Sequence, residues 1–325
     1  LAHIAVAKCA DHLPIYRLEK ELARKGAPVA RSTMNELLHR TSALLAPVWT
    51  RLLDVIRTRD IVLADETRLR ILKDASGKPK TGFVWTFGAA DAQGGFDVAY
   101  HFADSRSGAT PKAVLEGTKG VLLVDGYSGY NDVENVSSRR RAACLAHARR
   151  YFFDALKTAP IAQEALDIIT ELYRVEHDAK AQRLSTDSHL EFRKLRAGPI
   201  REKFKVWLDE QQPRHPPKSP LGGAIRYTLG QWQELGVFLD DARVPLDNNA
   251  SERSLRRIAL GRKNYLFVGD VESGKSLAGL YSLVATCESR GINPFDYLAD
   301  VLTRVQDHPM KAIDELLPAA WAAAR

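Results

Sequence analysis

Cysteine is scarce in this sequence. Cys9, Cys144 and Cys287 are spread over 325 residues. They are too distant and odd in number for a disulfide framework, which excludes disulfide-stapled folds and points to a reducing, cytoplasmic setting. Long apolar runs are missing too. No stretch approaches the roughly 20 residues that cross a bilayer, and there is no signal-peptide pattern, so no membrane partner is expected. No internal repeat is visible, which sets solenoid architectures aside. The chain opens on Leu1 rather than methionine and reads as a fragment whose natural N-terminus is missing.

What is present is ordinary globular material with a basic excess. Hydrophobic residues make up 45% and charged residues 27% of the chain, and the formal net charge is +7. The length suits two or three domains, and the charge favours a polyanionic partner, nucleic acid first.

Residues 1–58 are helix-patterned. Within them LEKELARKGAPVARSTMNELLHR (Leu18 to Arg40) gives a helix, a break at Gly26-Ala27-Pro28 and a second helix. That is the outline of a helix-turn-helix, in which Arg31, Asn35 and Arg40 would face DNA. A plain helical hairpin fits the same pattern. Thr41 to Arg57 is expected to form an amphipathic helix interrupted by Pro47. From Asp60 the texture becomes β-rich. IVLADET, then FVWTFGAAD and FDVAYHFADS, read as a three-strand meander, with KDASGKPKTG as a hairpin loop. A short helix over Thr110 to Thr118, a buried strand ending at Asp125 and a short strand in RRAACLAH complete a core segment, residues 59–148. Residues 149–241 lose the β signal and read as a helical insertion. Residues 242–306 return to the core with a helix, a short strand YLFVG and a helix from Ser276 to Arg290. Residues 307–325 form a helical tail.

The stretch LDNNASERSLRRIALGRKNYLF (Leu246 to Phe267) organises the candidate chemistry. Asn249 with Glu252 three residues on has capping-box spacing. Arg253, Arg256, Arg257, Arg262 and Lys263 follow within about three helical turns. A solvated basic face would look like this; so would a metal-binding glutamate beside cations that hold a polyanion. Other acids bear on the choice. Asp65 and Asp125 are both read as strand ends, and strand ends of one sheet converge at a common edge. Three carboxylates there could hold a pair of divalent cations for phosphodiester displacement. Arg149 and Arg150 would add phosphate contacts.

Rival motifs exist. GDVESGKS (Gly269 to Ser276) matches the P-loop pattern, in which Lys275 would reach phosphates and Ser276 a magnesium ion. Too little chain follows it for the β-α units of a nucleotide-binding domain. Cys144 and His147 offer two metal ligands where a structural zinc site takes four. Asp247 is a lesser alternative to Glu252, and Glu66 beside Asp65 should point to the opposite strand face. Trp85, Trp207, Trp232 and Tyr265 are read as core.

ADET (Ala64 to Thr67), DGYSGY (Asp125 to Tyr130), CLAHARRYFFDAL (Cys144 to Leu156), the Leu246–Phe267 stretch, and YSLVATCESRGINPFDYL with DELLPAAW together resemble the IS66 family of bacterial insertion-sequence transposases. So does the N-terminal AHIAVAKCADHLPIYRLEKELARKG. The sequence departs from the family in Arg68, where proline is common after ADET, and in DVESGKSLA after LFVG. It also departs in having no cysteine-rich N-terminal segment. The resemblance implies an RNase H-like α/β (mixed) catalytic core with a DDE triad of Asp65, Asp125 and Glu252. It further implies two Mg²⁺ ions, with Mn²⁺ as a substitute, and DNA at transposon ends and target as partner. A homo-oligomer on DNA, accessory proteins of the same element and a nucleoid-associated location would follow. A non-catalytic, truncated DNA-binding derivative is the alternative.

Overall fold

The computed structural model describes residues 1–74 and 76–325. The fold class is mixed α/β, largely helical, with six strands. In chain order the elements are α1 (Ala2–Cys9), α2 (Ile15–Arg24), α3 (Arg31–Leu44), α4 (Ala46–Arg57), β1 (Ile61–Ile71), β2 (Lys80–Ala90), β3 (Phe96–Ala103), α5 (Ala109–Leu115), β4 (Lys119–Val124) and β5 (Ser138–Ala143). Then come α6 (Leu145–Ala155), α7 (Ala162–Ala181), α8 (Thr186–Gln211), α9 (Pro220–Gly230), α10 (Asn249–Tyr265), β6 (Phe267–Val268), α11 (Val271–Ser289), α12 (Pro294–Arg304) and α13 (Pro318–Ala323). The chain divides into two compact units. One comprises residues 1–120, 135–138 and 250–325, the other residues 121–134 and 139–249. Among the described residues no helix is long and apolar enough to cross a membrane.

In the first unit, α1, α2 and α3 share a small core of Ile4, Ala7, Leu18 and Met34. The helix break expected at Pro47 falls earlier, at Leu45, and Pro47 sits in the first turn of α4. Proline is tolerated there because the first-turn N–H groups lack intrahelical partners anyway. β1 pairs antiparallel with β2, β2 antiparallel with β3, and β6 parallel with β1. Within the expected hairpin loop, the Asp74 carboxylate accepts from the Ser76 and Lys78 N–H groups, which fixes the turn into β2; Ala75 lies outside the described residues.

β3 presents backbone groups that β2 does not satisfy, and α11 supplies their partners through hydroxyls. Thr286 Oγ1 accepts from Val98 N–H and donates to Val98 C=O, both at 2.9 Å. Ser282 Oγ accepts from Tyr100 N–H at 2.8 Å, and Ser289 Oγ donates to Phe96 C=O at 2.6 Å. Residues 282, 286 and 289 lie on one helix face by their spacing of four and three. Small residues let that face come close. A Cβ on Gly274 would stand 2.5 Å from the Phe102 ring. At the end of the strand Arg290 binds Asp97 and Asp91 at 2.7 Å each.

In the second unit, residues 145–239 are helices and short 3₁₀ turns without a strand. Phe152, Phe204, Trp207 and Trp232 form an aromatic core with ring centroids 5.9–6.4 Å apart. Arg193 is 2% exposed. Its guanidinium pairs with both Glu176 oxygens at 2.7 Å and donates to the carbonyls of Phe238, Asp241 and Val244. A buried charge so fully partnered is tolerated, and it ties α7 and α8 to the segment leading into α10.

The hydroxyl contacts set an expected stability change. Thr286→Val keeps the shape but strands a buried N–H and C=O, so unfolding free energy should fall by about 2–3 kcal/mol, whereas Thr286→Ser should recover most of it. Urea denaturation of the three proteins measures this. Equal midpoints for parent and valine variant would mean that α11 is held by apolar packing alone.

Candidate active site

Asp65 and Glu252 belong to the first unit and Asp125 to the second. Asp65 does not end its strand, as the sequence reading had it. It stands mid-way along β1, opposite Thr86. β1 continues to Ile71 because Leu69 and Ile71 are buried while Arg68 and Arg70 are exposed, the alternation of a half-covered strand. Its Oδ1 accepts the Glu66 N–H at 2.8 Å. The Glu66 side chain is itself buried and bound by Arg106, whose Nε lies 2.8 Å away.

Glu252 lies half-buried in the first turn of α10. The helix starts at Asn249, which is therefore not its cap. The Asn249 N–H donates to Asp247 Oδ1 at 3.1 Å, so an Asx-type turn at Asp247 replaces the expected Asn249–Glu252 capping box. At the far end α10 runs through Tyr265, into the stretch read as strand. Leu266, at φ 64°, breaks it, and only Phe267 and Val268 remain as β6.

The cations of α10 fall into two sets. Arg253, Arg256 and Lys263 are exposed. Together with exposed Leu260 they are spaced three, four and three residues apart, forming one stripe about 15 Å long. Arg257 instead pairs with Glu288 of α11. Arg262 Nη1 donates to Thr67 Oγ1 and to the Arg68 carbonyl of β1, both at 2.8 Å. The helix carrying Glu252 is thus fastened to the strand carrying Asp65. Tyr100 Oη donates to the Ser254 carbonyl at 2.8 Å, and Tyr265 Oη lies 3.4 Å from Tyr281 Oη. Lys8 Nζ sits 3.6 Å from the Tyr265 ring centroid. Burial lowers the Lys8 amine from 10.5 to about 8.

In the second unit, Asp125 directly follows β4, and its Oδ1 accepts the Tyr127 N–H at 2.9 Å. Arg141, which sequence reasoning missed, holds this loop. It is 8% exposed. Its Nη2 donates to the Asp125 carbonyl at 2.9 Å and to Gln231 Oε1 at 2.6 Å, and its Nη1 to Asn131 Oδ1 at 2.5 Å. Nothing local in SRRRAA distinguished Arg141 from its neighbours except alternation, which turns Arg139 and Arg141 inward and Arg140 outward. Arg149 and Arg150 are exposed on α6. Cys144 is buried and its Sγ accepts the Asn248 N–H at 3.2 Å. Burial pushes its thiol up to about 11, which disfavours the thiolate that a metal would need.

The P-loop match does not form a phosphate loop. Val271 to Ser276 are helical, Asp270 caps α11 by accepting from the Ser273 N–H, and Gly274 N–H donates to the Asp270 carbonyl. These amides are committed to the helix, and Gly274 is small because Phe102 packs against it. Lys275 pairs with Glu272 at 2.8 Å. In the helix-turn-helix outline, Arg31 pairs with Glu19 at 2.9 Å and Arg40 with Glu36 at 2.5 Å. Asn35 lines a cavity of about 340 Å³ with Lys8, His39, Phe267 and the start of α11. Ser42 donates to the Ser276 carbonyl at 3.0 Å, so one face of α3 is docked on α11.

Comparison with known proteins bears on these residues. A family model described as "Transposase IS66 family" matches residues 1–276, and one described as "IS66 C-terminal element" matches residues 282–319. "Uncharacterized protein y4jD" of Sinorhizobium fredii (strain NBRC 101917 / NGR234) is 36% identical over 99% of this chain and 65% of its own length. "Uncharacterized protein y4qI" of the same strain is 34% identical over 98% of this chain and 61% of its own length. The chain therefore spans less than two thirds of each.

Two outcomes are expected from this geometry. Lys8 binds its proton less readily folded (about 8) than as an ordinary lysine (10.5). Between about pH 8 and pH 10 the unfolded chain then holds more protons, and stability should rise with pH. Lys8→Met should lose that rise, which denaturation at a series of pH values reads as the difference between the two proteins. For the second, calorimetric titration with ATP should detect no micromolar binding. Binding that disappears in Lys275→Ala would restore the P-loop reading.

Proposed function

Because the chain belongs to the IS66 transposase family, we propose that it is a metal-dependent DDE transposase that cleaves DNA at transposon ends and joins the freed end to target DNA. The fold reading that goes with this is an RNase H-like core with a helical insertion. The observation that carries the proposal is the fastening of α10 to β1 through Arg262. It holds the Glu252 helix against the Asp65 strand within one unit, with Arg253, Arg256 and Lys263 of that helix exposed.

Asp65, Asp125 and Glu252 are the ligands in this reading. Their donors are all carboxylate oxygens, the hard donors that suit Mg²⁺ or Mn²⁺. Two such ions, when bound, activate the attacking oxygen and stabilise the leaving oxygen of a phosphodiester displacement. The protein's own part is positioning. Arg141 fixes the loop that presents Asp125, and Arg106 neutralises Glu66 beside Asp65. Arg253, Arg256 and Lys263 hold the DNA backbone, with Arg149 and Arg150 on α6. Arg257 and Arg262 act through the helix they anchor. Arg31, Asn35 and Arg40 remain candidates for a second DNA contact, which requires the ion pairs of the two arginines to exchange for phosphate. Transposition joins two ends, so a homo-oligomer on DNA and accessory proteins of the same element belong to the proposal.

The test is DNA affinity against salt concentration, with Mg²⁺-dependent cleavage of end-containing duplex in parallel. Arg253→Ala and Arg256→Ala should each lower the salt slope by about one. Arg257→Ala should change the slope less and stability more, since its partner is Glu288. Glu252→Gln should bind DNA at least as tightly as the parent while cleavage collapses. Cleavage retained by Glu252→Gln would place the chemistry elsewhere. Salt-dependent binding without cleavage by the parent would favour the non-catalytic derivative.

A further inference from the structure

We propose that the second unit contains a pocket for one unpaired DNA nucleotide, built on α6 from Arg149, Arg150 and Phe153 and floored by Asp247. The inference deepens the DNA reading above and rests on it.

The pocket is a cavity of about 380 Å³ lined by Ala146, Arg149, Arg150, Phe153, Tyr173, Asp247 and Asn249. Positions 146, 149, 150 and 153 share one face of α6 by their spacing of three, four and seven. The helix treats its two consecutive phenylalanines differently. Phe152 is fully buried in the aromatic core, whereas Phe153 is 55% exposed at the pocket. An exposed phenylalanine beside two exposed arginines combines a stacking surface with phosphate donors, the pairing that grips single strands.

The floor adds selectivity. Asp247 Oδ2 accepts from Tyr173 Oη at 3.0 Å, and Oδ1 accepts from the Asn249 N–H at 3.1 Å. Burial and the adjacent carboxylate raise the Tyr173 phenol above its ordinary range, so it stays a donor. A carboxylate has about four acceptor sites; with one on each oxygen engaged, Asp247 is oriented and can still accept from a ligand. A donor on the edge of a base fits it. Cytosine offers an exocyclic amino group where thymine presents a carbonyl. A base stacked within a duplex cannot enter such a pocket, so the occupant must be unpaired.

The experiment compares three probes: oligodeoxycytidine, oligodeoxythymidine of equal length and a mixed-sequence duplex. Fluorescence anisotropy reads affinity, and circular dichroism verifies that each variant is folded. The parent should bind oligodeoxycytidine at least about fivefold more tightly than oligodeoxythymidine. Phe153→Ala should weaken oligodeoxycytidine binding about tenfold and duplex binding less than about twofold, with recovery in Phe153→Trp. Asp247→Asn should erase most of the cytosine preference. Equal losses on single strand and duplex, or no loss in Phe153→Ala, would overturn the pocket while leaving duplex binding intact. Failure of the parent to bind duplex at low salt would instead remove the DNA reading on which the pocket rests.

Discussion

The open edge of β3 is the constraint on which the first unit depends. A strand edge inside a protein leaves N–H and C=O groups that must find partners. Here another strand does not provide them. Ser282, Thr286 and Ser289 of α11 do, by side-chain hydroxyls. That choice fixes α11 in register with the sheet, and the consequences run on to the candidate site. α11 presents Glu288 to Arg257 and Tyr281 to Tyr265, and both partners lie on α10. β3 contributes Tyr100 to the Ser254 carbonyl. With Arg262 anchored on β1, α10 is held at several points along its length, and the rotation of its faces is fixed. That Glu252 is half-buried and Arg256 exposed is thus settled by contacts that other residues of α10 make.

The second unit relies on a different device, the buried and fully occupied guanidinium. Arg193 gathers Glu176 and three backbone carbonyls, and Arg141 gathers a carbonyl and two side-chain amides. A planar group with five donors can satisfy several chain segments at once, which a lysine cannot. Both arginines organise segments with little regular structure, one before α10 and one after β4. These segments carry Asp247 and Asp125. Losing either guanidinium would leave carbonyls unsatisfied and the acids without a fixed frame. Arginine therefore has three uses in this protein. It is an internal clasp at 141, 193, 257, 262 and 290, one half of exposed ion pairs at 31 and 40, and a solvent-facing charge at 253 and 256.

That division explains why net charge is a poor guide to a binding surface. The basic excess suggested a polyanion, and five cations in one stretch suggested where it would lie. Two of the five turned out to be tertiary fasteners. Helical spacing removes only Arg262 from the stripe of 253, 256, 260 and 263; Arg257, four residues from Arg253 and three from Leu260, is set apart by its pairing with Glu288.

The sequence by itself determined what is local. Period and composition marked the N-terminal helices, the three-strand meander, the strand before Asp125 and the loss of β signal over residues 149–241, where the helices and 3₁₀ turns end at Leu239. The ordered motifs ADET, DGYSGY and LDNNASERSLRR identified the family. Where local signals were ambiguous, pairing across the chain decided. β1 extends past Asp65 because β2 lies opposite, and α10 extends to Tyr265 because Lys8 and Tyr281 receive that residue. Val271 to Ser276 of GDVESGKS are helical, with Asp270 as cap and Gly274 packed beneath Phe102, although these residues satisfy a phosphate-loop pattern. Strand alternation separates Arg141 from Arg140, but only the tertiary structure could show which groups Arg141 binds, or that Arg257 rather than Arg256 meets a carboxylate. Such neighbours are alike in type, and their roles depend on which groups the folded chain brings within hydrogen-bonding reach.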